Sequence, residues 1–356
     1  MYNALQRDTR LDFAKAIAIS LVLFWHLQPI RISATDKSTI FIKILGFWLT
    51  QFNLQVSLIA VPLFLLVSLY LFYQKIEDRA LEGMSKRCLR IGGVYLFWTI
   101  CQFAFFYVMT FIRSFHDGAS NFSAPIPIHR LLLEGGPPLP IVGGSVFYFL
   151  FVLLILVLVS TVFYLFRNIE KLFPLIGITV VIVSVLYFEF LNLNGRGLPY
   201  WRIDNFMIYI PLSYFLLWQE SGKLVRYIPF FYIGFVLFSA QDVYLRHIGY
   251  DCGAYSRVSI VFGSIALFSS MLQLKDLNQG TVITLLSKYS LGIFATHKYW
   301  QLIVIIVFHL CGFSVPVYAA DFPLDLRALI IALISISLTF GTVLLGGRTL
   351  IKRYII

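Results

Sequence analysis

The sequence predicts an all-α polytopic membrane protein of about ten transmembrane helices with both termini in the cytoplasm. Three observations predict it. Of 356 residues, 59% are hydrophobic and only 13% charged, whereas soluble domains carry about 45–50% and about 25%. Apolar runs recur at roughly 17–25 residues, the length that crosses a hydrocarbon core of about 30 Å. Lys and Arg also divide unevenly between alternate connecting segments. A soluble fold would leave large apolar patches in water, so composition argues against a water-soluble enzyme, a disordered chain and a nucleic-acid binder. The net charge of +11 is accordingly read first as a topology signal.

Ten runs qualify in chain order: 14–31, 50–73, 91–112, 145–166, 172–191, 204–219, 226–240, 255–273, 289–311 and 327–346. The sixth and seventh are short, and Pro211 interrupts the sixth. Residues 38–50 are apolar enough for an extra half-helix. No small-residue cleavage site follows His26, so the first run does not read as a signal peptide. With the N-terminus inside, 17 Lys and Arg fall on the inner side and 10 on the outer, with Lys298 inside a span. That bias obeys the positive-inside rule. Residues 1–356 then form a single integral-membrane domain, and the longest loop, 113–144, is outside. Cys252 and Cys311 both fall near the outer surface, where a disulfide is left open against a simple packing role. No Cys/His cluster has metal-ligand spacing, so no metal is expected. Neither a glycine-rich phosphate loop nor a GxSxG elbow occurs.

Ionisable groups are costly in a bilayer, which makes those inside the spans functional candidates. The stretch from Arg10 to His26 holds Asp12, Lys15 and His26. Eleven helical steps are three turns plus about 20°, so Lys15 and His26 share a face with a rise of about 16 Å. Asp12, one turn before Lys15, can pair with it. A neutral imidazole suits a general base for a hydroxyl, or a nucleophile toward a thioester. The competing reading is a histidine that merely hydrogen-bonds between helices. Trp25, next to His26, is a candidate substrate contact.

Ser68 and Tyr70 bring hydroxyls into the second span and are candidate substrate contacts, though Ser can bond its own helix and Tyr can anchor at an interface. Lys86, Arg87 and Arg90 stand at the inner mouth of the third span. Arg87 and Arg90 share a face and suit bidentate phosphate contacts, or else lipid headgroups and topology control. His297 and Lys298 lie near mid-span in the ninth run, so at least one is expected to face an aqueous cavity. His116, His129, Arg130, Glu134, Glu189, Arg196, Trp201, Arg202 and Asp204 are weaker candidates for contacts to a sugar.

In this order, the segments resemble the membrane acyltransferase-3 family, which has ten core membrane helices. The run from Lys15 to His26 is similar to its first-helix pattern of a basic residue, ten residues, then His, with Lys in place of the commoner Arg. Val61-Pro62-Leu63-Phe64 to Tyr70 resembles its second-helix segment, with Leu69 in place of Gly. Lys86 to Arg90 resembles its Arg-x-x-Arg entry. Gly144 to Leu150 resembles its Trp-Phe-Leu segment, with Tyr148 at the Trp position. Tyr289 to His297 resembles its Ser-Leu-Gly-Ile-Tyr-x-x-His segment, with Phe294 replacing Tyr. The resemblance implies transfer of an acyl group, usually acetyl, from cytosolic acetyl-CoA to a lipid-linked or surface polysaccharide in the bacterial inner membrane. It implies His26, with Lys15 and Asp12, as the catalytic group and Arg87, Arg90 and Lys86 as the CoA site. The appended hydrolase-like domain of some members is not expected here. A flippase for lipid-linked oligosaccharides, which would also need polar residues facing a cavity, is the alternative.

Overall fold

The computed structural model describes residues 8–32, 39–76, 80–116, 146–169, 172–218, 221–274, 280–312, 318–319, 322–349 and 351–356. Most of the expected 113–144 loop, with His129, Arg130 and Glu134, lies outside them.

Helix α1 (Thr9–Leu27) runs through the centre of the bundle, and small residues Ala14, Ala16 and Ala18 are buried along it. Its start is capped by the Asp8 carboxylate, which accepts from the Arg10 backbone N–H. Burial raises the Asp8 pKa, but the Arg10 guanidinium beside it more than offsets that and holds the carboxyl below its ordinary value. Around α1 pack α3 (Ala60–Ile76), α9 (Val258–Leu272), α10 (Thr281–Lys288) and α11 (Ser290–Leu310). The outer elements are α4 (Ala80–His116), α5 (Tyr148–Leu165), α6 (Leu172–Leu193), α7 (Tyr209–Trp218), α8 (Ser221–His247) and α12 (Leu326–Gly346). Apolar side chains such as Leu158, Leu186, Ile233 and Leu333 remain exposed on these helices, as expected of a surface that meets lipid rather than water.

Each of the ten predicted runs coincides with a helix. Seven helices among the described residues are long and apolar enough to cross a membrane, and Ile203–Trp218 and Val258–Leu272 are shorter apolar segments. Length and apolarity therefore give seven spans where the sequence predicts about ten. Helix α1 falls outside both groups, with Arg10, Asp12 and Lys15 near its start. A second departure from the all-helical expectation is an antiparallel hairpin of β1 (Tyr318–Ala319) and β2 (Phe322–Asp325). It feeds α12, whose N-cap Asp325 accepts from Ala328 N–H.

The expected half-helix is α2 (Ile40–Gln51), none of whose residues is buried. It joins α3 through a π turn at Phe52–Val56 and a 3-10 turn at Ser57–Ile59. The cause is a side chain inserted from another helix. Arg257, at the N-cap of α9, is fully buried and donates to the Leu54 carbonyl at 2.7 Å and to Gln55 Oε1 at 2.8 Å. Its charge is met by Asp242 of α8 at 3.5 Å, whose carboxylate also accepts from the Ser259 hydroxyl. The topology count treats Arg257 as an outer-loop charge; the fold makes it a core residue.

A short C-terminal helix, α13 (Lys352–Ile355), folds back on the bundle. Its buried Ile355 packs on Gly292, where an added Cβ would lie 2.6 Å from Ile355 Cγ2 and 2.9 Å from Val343 Cγ1. The Trp98 indole of α4 donates to the Tyr354 carbonyl at 3.0 Å. All four cysteines are free, with Cys252 buried and Cys311 exposed.

Candidate active site

The last turn of α1 carries Trp25 and His26. The chain then leaves the helix through Gln28, the one non-glycine residue at positive φ (42°) among those described. From the opposite side α11 presents His297, Lys298 and Gln301. Gln301 ties the two helices together: its amide donates to the His26 carbonyl at 3.0 Å, and its Oε1 accepts from the Lys298 ammonium at 3.0 Å. The His26 carbonyl belongs to the last turn of α1, where no intrahelical donor remains, so Gln301 supplies one.

The His26 and His297 rings lie 5.1 Å apart between centroids, inclined by 39°. His297 is fully buried, and its Nδ1 bonds the Ile293 carbonyl at 3.0 Å. A carbonyl only accepts, so Nδ1 carries the hydrogen. Nε2 is then a bare acceptor in the neutral ring, buried without a partner. His26 is half-buried and opens onto a cavity of 780 Å³.

That cavity is walled largely by aromatic side chains: Trp25, Phe105, Phe147, Tyr148, Tyr200, Tyr255 and Tyr299. The Tyr148 hydroxyl donates to the Tyr255 hydroxyl at 3.0 Å, and Tyr200 meets Tyr148 edge-on at 5.0 Å. Gln28, Gln102 and Gln301 supply amides to the lining, and Arg31 and Lys298 supply positive charge. One imidazole, amides, cations and flat rings around one void, with the buried His297 ring behind His26, can hold a polyhydroxylated ligand and take a proton from it.

Across residues 8–346 the sequence matches the acyltransferase domain family. The chain belongs to the membrane acyltransferase-3 family. Together with its apolar helices this makes it an integral-membrane member of that family. It is also similar to the nodulation protein NolL of Mesorhizobium japonicum, 32% identical over 94 residues. That stretch is 26% of this chain and 23% of NolL, so the match spans about a quarter of the relative's length. Among solved structures, none matches.

The remaining residues singled out from the sequence lie elsewhere. Asp12 is buried near the start of α1, accepting from the Ser287 hydroxyl at 2.6 Å and lying 3.6 Å from Lys15. This trio clips α1 to α10, about 16–21 Å along α1 from His26, and none of it lines the cavity. Tyr70 packs edge-on against Phe268 at 5.4 Å. Ser68 offers its backbone carbonyl, not its hydroxyl, to the Arg87 guanidinium at 3.4 Å. Arg90 is exposed and bonds the Ile356 carbonyl at 3.0 Å, and Lys86 is exposed beside it. Of the predicted site residues, His26, Trp25 and His297 come together; Asp12, Lys15, Ser68, Tyr70, Lys86, Arg87 and Arg90 gather toward the other end of the bundle. Trp201, Arg202 and Asp204 do not line the cavity, and Arg202 pairs with Asp204.

Helix α4 connects the two groups. The Arg87 Nε is buried without a partner. Tyr95 and Thr99, one turn apart, pair their buried hydroxyls at most with each other. Gln102 follows, with an unpartnered Oε1, at the cavity wall. Steps of eight, four and three residues keep these four within about 120° of helix surface. Sequence reading misses this stripe, although Tyr95-Thr99-Gln102 at spacing four and three in an apolar helix is a readable signal.

Proposed function

We propose that the protein is an O-acetyltransferase of the bacterial inner membrane, with about ten spans and both termini cytoplasmic. It moves acetyl from cytosolic acetyl-CoA to a hydroxyl of a lipid-linked or surface polysaccharide. The observation that carries this is His26, open to a cavity, with the His297 ring 5.1 Å away between centroids. A cavity of 780 Å³ is in the range that takes a sugar or a drug-sized ligand.

Acetyl-CoA supplies an activated thioester. The orphaned Arg87 Nε and the exposed Arg90 and Lys86 fit a phosphate-bearing group, since guanidiniums pair with phosphate in forked geometry. From Arg90 to Gln102 is about 18 Å along α4, and from Arg87 about 22 Å, a span suited to an extended pantetheine arm. The buried hydroxyls of Tyr95 and Thr99 and the Gln102 amide lie on that route and can meet its amides. His26 accepts the proton of the acceptor hydroxyl as oxygen attacks the thioester carbonyl. The C–O bond forms, the C–S bond breaks, and the proton passes from His26 to the departing thiolate to give CoA thiol. The neutral His297 ring, 5.1 Å from His26 between centroids, stabilises the transient imidazolium. Lys15 and Asp12 act at a distance, by fixing α1 through Ser287.

The test is radiolabelled acetyl transfer by the purified protein in proteoliposomes. Label on glycan and free thiol in equal amounts support the reading. Thiol-free flipping of glycan in its place would return the flippase alternative.

A further inference from the structure

We propose that the acceptor is anionic, and that it seats its negative charge on Lys298 and Arg31 while its hydroxyl faces His26. This rests on the acyl-transfer reading and names the substrate class of that site.

Lys298 lies in the ninth position of α11, half-buried, with its ammonium aimed at the neutral Oε1 of Gln301. A cation so placed within a span is costly unless something negative answers it. Among the described residues nothing does. The cavity lining contains no Asp or Glu, and no ion pair there includes Lys298 or Arg31. Arg31, exposed at the rim, adds to the charge and lies close enough to repel Lys298. Two like charges face one void, which favours an anion in it.

The donor does not supply that anion at this place. Its phosphates are assigned to the Arg87 end of α4, about 18–22 Å from the cavity, and the acetyl thioester is neutral. The acceptor remains. Trp25 and Tyr200 line the void as aromatic partners for a sugar. Gln28 lines the same void from a left-handed backbone conformation that glycine normally takes. Strain of this kind persists where the surroundings enforce it, often at ligand sites. The charge can belong to an acidic sugar or to the diphosphate of a lipid carrier; both present the same chemistry.

The full-length protein, in phosphatidylcholine proteoliposomes, is given radiolabelled acetyl-CoA and a mixed extract of lipid-linked and lipid-free bacterial envelope glycans, acidic and neutral. Products are separated by anion exchange before and after mild acid removes the carrier. Label in charged fractions is the expected result. Charge that survives carrier removal identifies an acidic sugar, and charge that disappears identifies the diphosphate. Label in neutral glycan before hydrolysis overturns the inference. No label in any fraction overturns the acyl-transfer reading, and this inference with it. Lys298→Gln raises KM for the charged glycan roughly tenfold with kcat nearly kept, as loss of one charged hydrogen bond implies, and Lys298→Arg restores it. Should Lys298→Gln fail to fold, wild-type KM must still rise with salt; a salt-independent KM overturns the inference.

Discussion

The ring centroids of His26 and His297 stand 5.1 Å apart, and the fully buried His297 carries its hydrogen on the nitrogen that bonds the Ile293 carbonyl of its own helix. Charging both rings would set like charges side by side in a mostly apolar site, so the pair of neutral imidazoles takes up one further proton at most. Such a pair can receive a proton from a substrate hydroxyl and return it within one turnover.

His297→Ala leaves His26 on the cavity but removes the neutral imidazole packed beside it. Turnover falls about 100-fold, within the range of acid–base contributions, while KM for acetyl-CoA changes little. Steady-state kinetics in proteoliposomes check this; an unchanged kcat would relieve His297 of any part in proton transfer.

Direct transfer predicts that protein incubated with labelled acetyl-CoA and no acceptor carries no label after acid quench. Stoichiometric label on the protein, absent from His26→Ala, would make His26 an acyl carrier instead of a base.

Arg87→Ala removes a guanidinium that no other described side chain replaces at the α3–α4 contact. KM for acetyl-CoA rises about tenfold or more, as loss of a charge-assisted bond implies, with kcat close to wild type. Arg87→Lys recovers part of this, because an ammonium keeps the charge and loses the fork. Equal effects on kcat and KM would point to a folding role.

Arg257→Leu strips the partner from buried Asp242 and frees the Leu54 carbonyl. Breaking a buried pair on one side costs about 3–5 kcal/mol, read as a lower unfolding midpoint in detergent. The Arg257→Leu/Asp242→Leu double variant recovers much of the loss. If the single and double variants unfold alike, the pair does not hold the π turn in place.

Much of the fold was legible because a bilayer imposes one strict rule: apolar runs long enough to cross it become helices. All ten runs and the half-helix at 38–50 lie on helices. The π turn at Phe52–Val56 was not legible, since nothing local produces it. Its cause, Arg257, is about 200 residues away and looks like any loop arginine. The helical spacing of Lys15 and His26 was right about the helix and silent about depth: one belongs to a buried clip with Asp12 and Ser287, the other to a cavity wall. His297 was visible as an ionisable group in an apolar run, whereas its facing His26 depends on how α1 and α11 pack. Tyr148, Tyr200 and Tyr255 line the cavity, yet the sequence singles out only Tyr148, at the Trp position of a resembled segment. Gly292 belongs to a recognisable segment, yet its lack of a side chain is explained by the packing of Ile355 and Val343 against it. Gly292→Val overpacks that contact, costs about 1–3 kcal/mol, and is checked by the same unfolding assay.

The account turns on His26, and labelled acetyl transfer to glycan by membrane-inserted His26→Gln tests it most directly. The account predicts insertion and acetyl-CoA binding equal to wild type, with transfer reduced to background. A well-inserted His26→Gln protein that acetylates glycan at the wild-type rate would contradict it.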